Sequence, residues 1–243
     1  STGTFSCYES PTEPIKRLRR RLKANGPLYW VALMFSIWSI QRVLWILHWV
    51  LSQWLLASVI FALAFGVRCQ GREALVDGQG HVAPMSADAW YYLHRTVLSW
   101  QGLGGEWDVL PSWEPGLSCP TGTAPPWPHG LNVATALGAK LVLPANATAE
   151  DVRSFASWIP PLLGALSCGL LVLLGTAVFS LGVGVLAGGL LALLPIHVWN
   201  TAWSTLDHHV FAALVPILVL GGMWRGLSAT ADRAGLGAAS NAG

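Results

Sequence analysis

The chain has 243 residues, 53% of them hydrophobic, with 14 Trp but only 11% Asp, Glu, Lys and Arg. Soluble domains carry about a quarter charged residues, so this composition excludes an ordinary soluble domain and points to a membrane protein. The net charge of +2 is small, and one short basic block favours lipid headgroups over nucleic acid as its anionic partner.

That block is KRLRRRLK, Lys16 to Lys23, which holds six of the 14 basic residues. Beside an apolar segment such a cluster stays cytoplasmic, so residues 1–42 are read as a cytoplasmic basic segment and an interfacial helix. No apolar run ending in small residues follows it, so no signal peptide is expected. Leu28 to Ile40 forms a separate interfacial or extended helix in this reading, because Gln41-Arg42 follows it. Residues 43–67 (VLWILHWVLSQWLLASVIFALAFGV) carry no formal charge over 25 positions, enough to cross a bilayer as the first transmembrane helix. Trp30, Trp38, Trp45 and Trp49 recur on roughly one helical face, which suits packing or headgroup anchoring.

Residues 68–154 form a long polar loop rich in Gly and Pro; Arg68 to Arg153 holds eight of the 12 acidic residues. Its short helical stretch His129 to Leu143 is too short to span and belongs at the membrane surface. Residues 155–224 hold three apolar runs, Phe155–Phe179, Gly182–Trp199 and Val210–Trp224. The Ala/Gly/Ser-rich residues 225–243 read as a flexible tail. Counting crossings from a cytoplasmic N-terminus puts Asp207 on the same side as the long loop. Cys7, Cys69, Cys119 and Cys168 show no CxxC spacing, which excludes a zinc ribbon. Cys69 and Cys119 share the loop, so a disulfide there and two free thiols are equally open.

Three short segments carry candidate chemistry. In SADAWYYLHR, Ser86 to Arg95, Asp88 precedes an aromatic run closed by His94 and Arg95; alone it reads best as a helix start capped by Ser86 or Asp88 that buries Trp90, Tyr91 and Leu93. CPTGTAPPWPHG, Cys119 to Gly130, specifies a rigid non-helical path. In WSTLDHHVF, Trp203 to Phe211, Asp207 and His209 share one side of an extended segment while His208 points away. Carboxylate plus imidazole suits Mn²⁺, Mg²⁺ or Zn²⁺, with Asp88 allowed as a third ligand. A helix start with Asp207 as its cap is the plainer reading of that segment alone.

Together and in this order, the three segments resemble the catalytic subunit of oligosaccharyltransferases, the archaeal and bacterial single-subunit type. DAWYYLHR resembles its first acidic motif, CPTGTAPPWPHGL its first external loop, and the segment ending STLDHHVF its second acidic motif of Asp-x-His form. The resemblance covers roughly Val43 to Trp224. It implies an all-α polytopic membrane protein, the N-terminal part of a GT-C-type glycosyltransferase fold. About four transmembrane helices and a long first external loop are expected. It further implies transfer of a lipid-linked oligosaccharide to Asn of Asn-x-Ser/Thr with a divalent metal, Mn or Mg. Residue by residue, Asp88 is the catalytic carboxylate and a metal ligand, Asp207 and His209 are the other metal ligands, and Tyr91, His94 and Arg95 meet substrate.

The implied partners are a polyprenyl-linked oligosaccharide, an acceptor polypeptide and the lipid bilayer. The implied location is the endoplasmic reticulum or prokaryotic plasma membrane, with the acidic motifs outside the cytoplasm. Two departures stand out. Asn200 occupies the position where the family commonly has Arg, and the family's later spans and soluble domain do not follow Gly243. The expectation is therefore a fragment, split subunit or reduced paralogue that needs a partner chain for turnover. A non-catalytic membrane scaffold, or another polyprenyl-phosphate-sugar-dependent glycosyltransferase, are the alternative readings. Asn146-Ala147-Thr148 is itself an acceptor tripeptide in the loop.

Overall fold

The structure, a computed structural model, describes the backbone of residues 13–103, 113–114, 120–124 and 129–240. Side chains are described at Lys16 and, within those ranges, from Trp38 to Ala231. Among the described residues the regular structure is helical, with two isolated bridges, Val76 to Val82 and Glu114 to Thr123. The eight α-helices are α1 (Glu13–Arg68), α2 (Ala87–Gly102), α3 (Gly130–Val142), α4 (Ala149–Ser157), α5 (Ile159–Val178), α6 (Leu181–Leu193), α7 (Pro195–Asn200) and α8 (Phe211–Ser240). The chain divides into two units at Ser52/Gln53.

In the first unit, α1 runs through Gln41-Arg42 without a break, so the expected separate helix at 28–40 is joined to the first span. Every described side chain from Trp38 to Leu51 is exposed, although most are apolar. A helix apolar around its whole circumference suits lipid rather than water. Arg42 lays its guanidinium 3.6 Å from the centroid of the Trp38 ring, so the charge is held against an aromatic face.

In the second unit, α5 and α6 form a hairpin whose approach is set by glycine. A Cβ on Gly184 would stand 2.3 Å from the Val172 carbonyl oxygen, and one on Gly188 2.5 Å from Val172 Cγ2. Only the missing side chains let these backbones touch, the small-residue packing typical of apolar helices in lipid. The last turns of α1 join them through Ala64, which packs with Ala165, Cys168 and Ala192. Helices α2, α3 and α4 pack as a separate layer around Val97, Ala139 and Val152. A second core, from Tyr91, Tyr92 and Leu93 to Leu206 and Val210, ties that layer to the start of α8.

Among the described residues three helical stretches are long and apolar enough to cross a membrane: Trp38–Arg68, Ala149–Val178 and His208–Ala231. With the composition, they fit an integral membrane protein. The expected span Gly182–Trp199 is instead α6 of 13 residues followed by α7 of six. The cause is Pro195: the residue before a proline avoids the helical region, and Leu194 is extended at φ −63°, ψ 116°. The 13-residue α3 is likewise short of a span. Residues 225–240 continue α8 rather than forming a flexible tail, since Ala-rich sequence favours helix.

Candidate functional site

Of the two expected caps of α2, Asp88 sits in the first turn and is not the cap. Ser86 fills that role, its Oγ accepting from the Ala89 N–H at 3.1 Å. The Asp88 carboxylate is thereby left exposed at the N-terminal end of a helix, where negative charge is favoured. Asp207, in contrast, does cap: it precedes a 3₁₀ turn, His208–Val210, and its carboxylate accepts from the His208 N–H at 2.5 Å. The plainer reading of that segment is thus correct in part, and the two acidic residues have different local roles.

The Asp207 segment is held beside α2 by a knot of backbone bonds at Ser204. The Trp203 N–H donates to the Arg68 carbonyl at 2.9 Å and the Ser204 N–H to the Ser157 carbonyl at 3.2 Å. Ser204 Oγ donates to the Ala83 carbonyl at 3.0 Å. Ser204 is fully buried with φ +66°, a left-handed conformation that costs a non-glycine residue about 1–2 kcal/mol. Such a turn persists only where its surroundings over-determine it. Here three separate segments do so.

Arg68 completes the support. Its guanidinium is 1% exposed; Nε donates to Thr201 Oγ1 at 2.7 Å, and Nη1 to the carbonyls of Ala64 at 2.8 Å and Ala192 at 3.3 Å. Nη2 meets Cys168 Sγ at 3.8 Å. Ala192 lies in the last turn of α6 and Ala64 in the last turns of α1, so the cation satisfies carbonyls at two helix C-termini. From sequence, Arg68 is only the first residue of the long polar loop. A charge directly abutting a long apolar run was the available signal.

These supports bring Asp88, Asp207 and His209 to the walls of one small cleft of about 200 Å³, with Ser86, Asn200 and Thr205. Among the described residues two carboxylates line it and no lysine or arginine does, which makes it attractive to a cation. Asn200, at the position where the resembling family has Arg, contributes a neutral amide.

His208 does not point away from its neighbours. The extended backbone expected for Asp207 to His209 is a 3₁₀ turn at His208, which brings the neighbouring rings together with centroids 4.1 Å apart. Single ligand atoms from Asp207, His208 and His209 all lie within 4.8 Å of one another. His208 Nδ1 contacts the Asp207 carboxylate and lies 3.2 Å from the Tyr92 hydroxyl, leaving Nε2 as the nitrogen available to a ligand. His209 Nε2 stands 3.9 Å from Asp207 Oδ2. Ligands about 2.0–2.2 Å from one ion are at most about 4.4 Å apart. Asp207, His208 and His209, spread over up to 4.8 Å, are set more loosely than ligands around one ion, and Asp88 lines the same cleft as Asp207 and His209.

Tyr92 is 2% exposed. Its phenol is pushed up to about 12 by burial, reinforced by the carboxylate of Asp207, so it faces His208 as a neutral hydroxyl. Tyr91 and Arg95, expected at the substrate, are turned into an internal network instead. Arg95 is 1% exposed; Nη1 donates to the Tyr91 hydroxyl at 2.9 Å and pairs with Glu114, and Nη2 donates to His129 Nδ1 at 3.0 Å. The physical reason is spacing: positions 91 and 95 fall on the inward face of α2, while Trp90 and His94 share its outer side. Trp90 is exposed and stacks on the half-buried His94, with centroids 5.2 Å apart.

Much of the loop segment Cys119 to Gly130 lies outside the described residues, and with it Cys119 and the Cys69–Cys119 pairing. Cys69 carries a free, half-buried thiol whose pKa burial raises. Comparison with family models, with curated proteins and with solved structures finds no match to this chain.

Proposed function

We propose that the chain is the membrane portion of an oligosaccharyltransferase-like catalytic subunit. It would bind a divalent cation, Mn²⁺ or Mg²⁺, in the cleft between Asp88 and Asp207 and use it in transfer from a polyprenyl-linked oligosaccharide to an asparagine amide. The observation that carries this reading is the shared cleft. Two carboxylates 119 positions apart in sequence, 88 and 207, and the His209 imidazole line one polar pocket beside long apolar helices.

The chemistry suits the residues. A carboxamide nitrogen is a poor nucleophile, and a carboxylate accepting its N–H groups helps to free its lone pair; exposed Asp88 is the group for this. The leaving phosphate gains negative charge, which a bound divalent cation would stabilise as a Lewis acid. Asp207, His208 and His209 would hold that cation, and Tyr92 would hold the His208 ring. Asp88 and the Asp207 group would lie on the extracytoplasmic side, with Lys16 to Lys23 in the cytoplasm.

The test is Mn²⁺ binding to the purified full chain by electron paramagnetic resonance, with Asp207→Asn and Asp88→Asn beside it. Binding in the micromolar range that weakens at least tenfold in Asp207→Asn supports the reading. Absence of binding, or binding indifferent to both substitutions, overturns it. Glycosylation restored by the wild-type chain but not by Asp88→Asn, in an assembly supplied with a complementary soluble chain, would distinguish a catalytic subunit from a scaffold.

A further inference from the structure

A second groove lies at the other end of the apolar helices from the Asp207 cleft. Gln53 stands 15 residues before Arg68 in α1, and Arg225 stands 14 residues after Phe211 in α8. At 1.5 Å per residue, both are about 21–22 Å along their helices from the end that holds the cleft. The hydrocarbon core of a bilayer is about 30 Å thick, so a side chain as long as arginine reaches the opposite headgroup layer from there.

The groove runs between α1, α5 and α8 and encloses about 460 Å³. Leu170 and Leu173 of α5 and Ile217 and Leu218 of α8 give it an apolar wall, while Gln53 and Arg225 bring polar groups to one level of it. Among the described residues no Asp or Glu lines it, and no carboxylate pairs with the Arg225 guanidinium. A cation in an apolar span is costly unless it is paired or reaches headgroups. Gln53 Nε2 is shut off from solvent and has no acceptor among the described residues, an unfavourable state for a donor in apolar surroundings. Trp54, 59% exposed, and Trp224, 38% exposed, also line the groove; amphipathic rings of this kind sit at the headgroup level of membrane proteins. Gly222 keeps the space open, since a Cβ there meets nothing within 4 Å.

The cation, the unsatisfied amide and the apolar wall lack the same partner: an anion with several acceptor oxygens, joined to a hydrocarbon chain. We propose that the groove binds an anionic glycerophospholipid from the leaflet opposite the Asp207 cleft. Its phosphate pairs with Arg225, a phosphate or ester oxygen accepts from the Gln53 amide once that amide turns toward the groove, and one acyl chain runs inward along Leu170, Leu173 and Leu218. The site uses no residue of the Asp88–Asp207 cleft and stands independently of the cation reading.

The experiment uses the full chain in phosphatidylcholine nanodiscs. These carry either phosphatidylglycerol with a diazirine near the head end of one acyl chain or phosphatidylcholine with the same diazirine. Labels are mapped by mass spectrometry. Expected is labelling of residues 170–174 and 217–222 by the phosphatidylglycerol probe at least fivefold above the phosphatidylcholine probe, with residues 186–190 of α6 labelled equally by both. Arg225→Gln should erase the excess, and Arg225→Lys should keep most of it. Gly222→Leu extends a side chain into open space and should lower labelling of the groove by both probes at least fivefold. Wild-type labelling of residues 186–190 and an unchanged melting temperature show that a variant is folded; if Gly222→Leu is not, Arg225→Gln carries the comparison. Equal labelling of the groove by the two probes overturns the proposal. An excess that persists in Arg225→Gln, or groove labelling unchanged in a folded Gly222→Leu, overturns it as well.

Discussion

The Arg68–Thr201 contact gives the sharpest test of how the cleft is supported. Arg68→Leu removes three hydrogen bonds to oxygen, at 2.7, 2.8 and 3.3 Å, and a weaker one to Cys168 Sγ at 3.8 Å, from a site that is 1% exposed. Hydrogen bonds to charged groups contribute about 1.5–3 kcal/mol each, but the desolvation of the guanidinium opposes them, so the net loss should be about 2–4 kcal/mol. Thr201→Val keeps the volume and deletes only Oγ1, leaving Nε unpaired, at a cost of about 1.5–3 kcal/mol. In the Arg68→Leu background that orphaned donor no longer exists. Thr201 Oγ1 also donates to the His197 carbonyl, and this loss is common to both backgrounds and cancels. The double-mutant cycle should therefore show a coupling of about 1.5 kcal/mol. The assay is reversible unfolding by sodium dodecyl sulfate titration in mixed micelles, followed by tryptophan fluorescence. Effects that add to within about 0.3 kcal/mol would refute the hydrogen bond as drawn. Because Thr201 lies six positions before Asp207 in the sequence, Arg68→Leu should also weaken Mn²⁺ binding.

Other expectations follow from the same geometry. Tyr92 has its folded pKa raised to about 12, so its stabilisation is complete below the unfolded value near 10 and is lost as pH rises through about 12; Tyr92→Phe should flatten the alkaline end of the stability profile. The His129 imidazole is held below its usual range by burial first and the Arg95 charge second. Its contribution is therefore full above the unfolded value of about 6.5 and falls as pH drops below it, and His129→Gln should reduce that acid sensitivity. Thr148 caps α4, its Oγ1 accepting from the Asp151 N–H at 3.2 Å while Asp151 Oδ2 accepts from the Thr148 N–H at 2.7 Å. Thr148→Ala should cost about 1 kcal/mol in thermal stability. Gly184→Leu should separate the α5–α6 hairpin, at a cost of more than about 3 kcal/mol in detergent unfolding, because its first side-chain atom already meets Val172 and Thr176 at 2.3 and 2.5 Å.

The apolar runs were readable because a span of about 20 uncharged residues has few other uses in a chain this poor in charge. The grouping of Asp88 with Asp207 was readable from the order of the motifs, and the two line one cleft. What local pattern did not give was orientation. Tyr91 and Arg95 looked like ligand-facing groups because of their chemistry, yet a helix presents positions four apart on the same side, and here that side is the core. His208 was set aside on a two-residue strand period that does not apply to a 3₁₀ turn. Ser204 offered no signal, since its left-handed backbone is imposed by three partners distant in sequence.

The count of crossings assumed that Gly182 to Trp199 traverses the membrane as one helix, and that premise does not hold. Asp88 and Asp207 nevertheless line one cleft, and the packing of the broken helix accounts for it. Gly184 packs at Gly175 and Gly188 at Val172 and Cys168, and Thr201 then reaches Gly164, where a Cβ would stand 2.5 Å from Thr201 Oγ1. The chain from Gly184 to Thr201 thus retraces α5 from Gly175 to Gly164, about 16 Å of helix at 1.5 Å per residue. His197 Nε2 lies 3.4 Å from the Gly164 carbonyl and marks the same end. A broken helix can therefore return the chain as an unbroken one would, provided each turn is fastened to its neighbour. The break adds what a straight span would lack: Pro195 parts α7 from α6 and opens an apolar cavity beside the cleft. The same local rule that breaks the expected span sets Leu193 and Pro195 in the wall of that cavity.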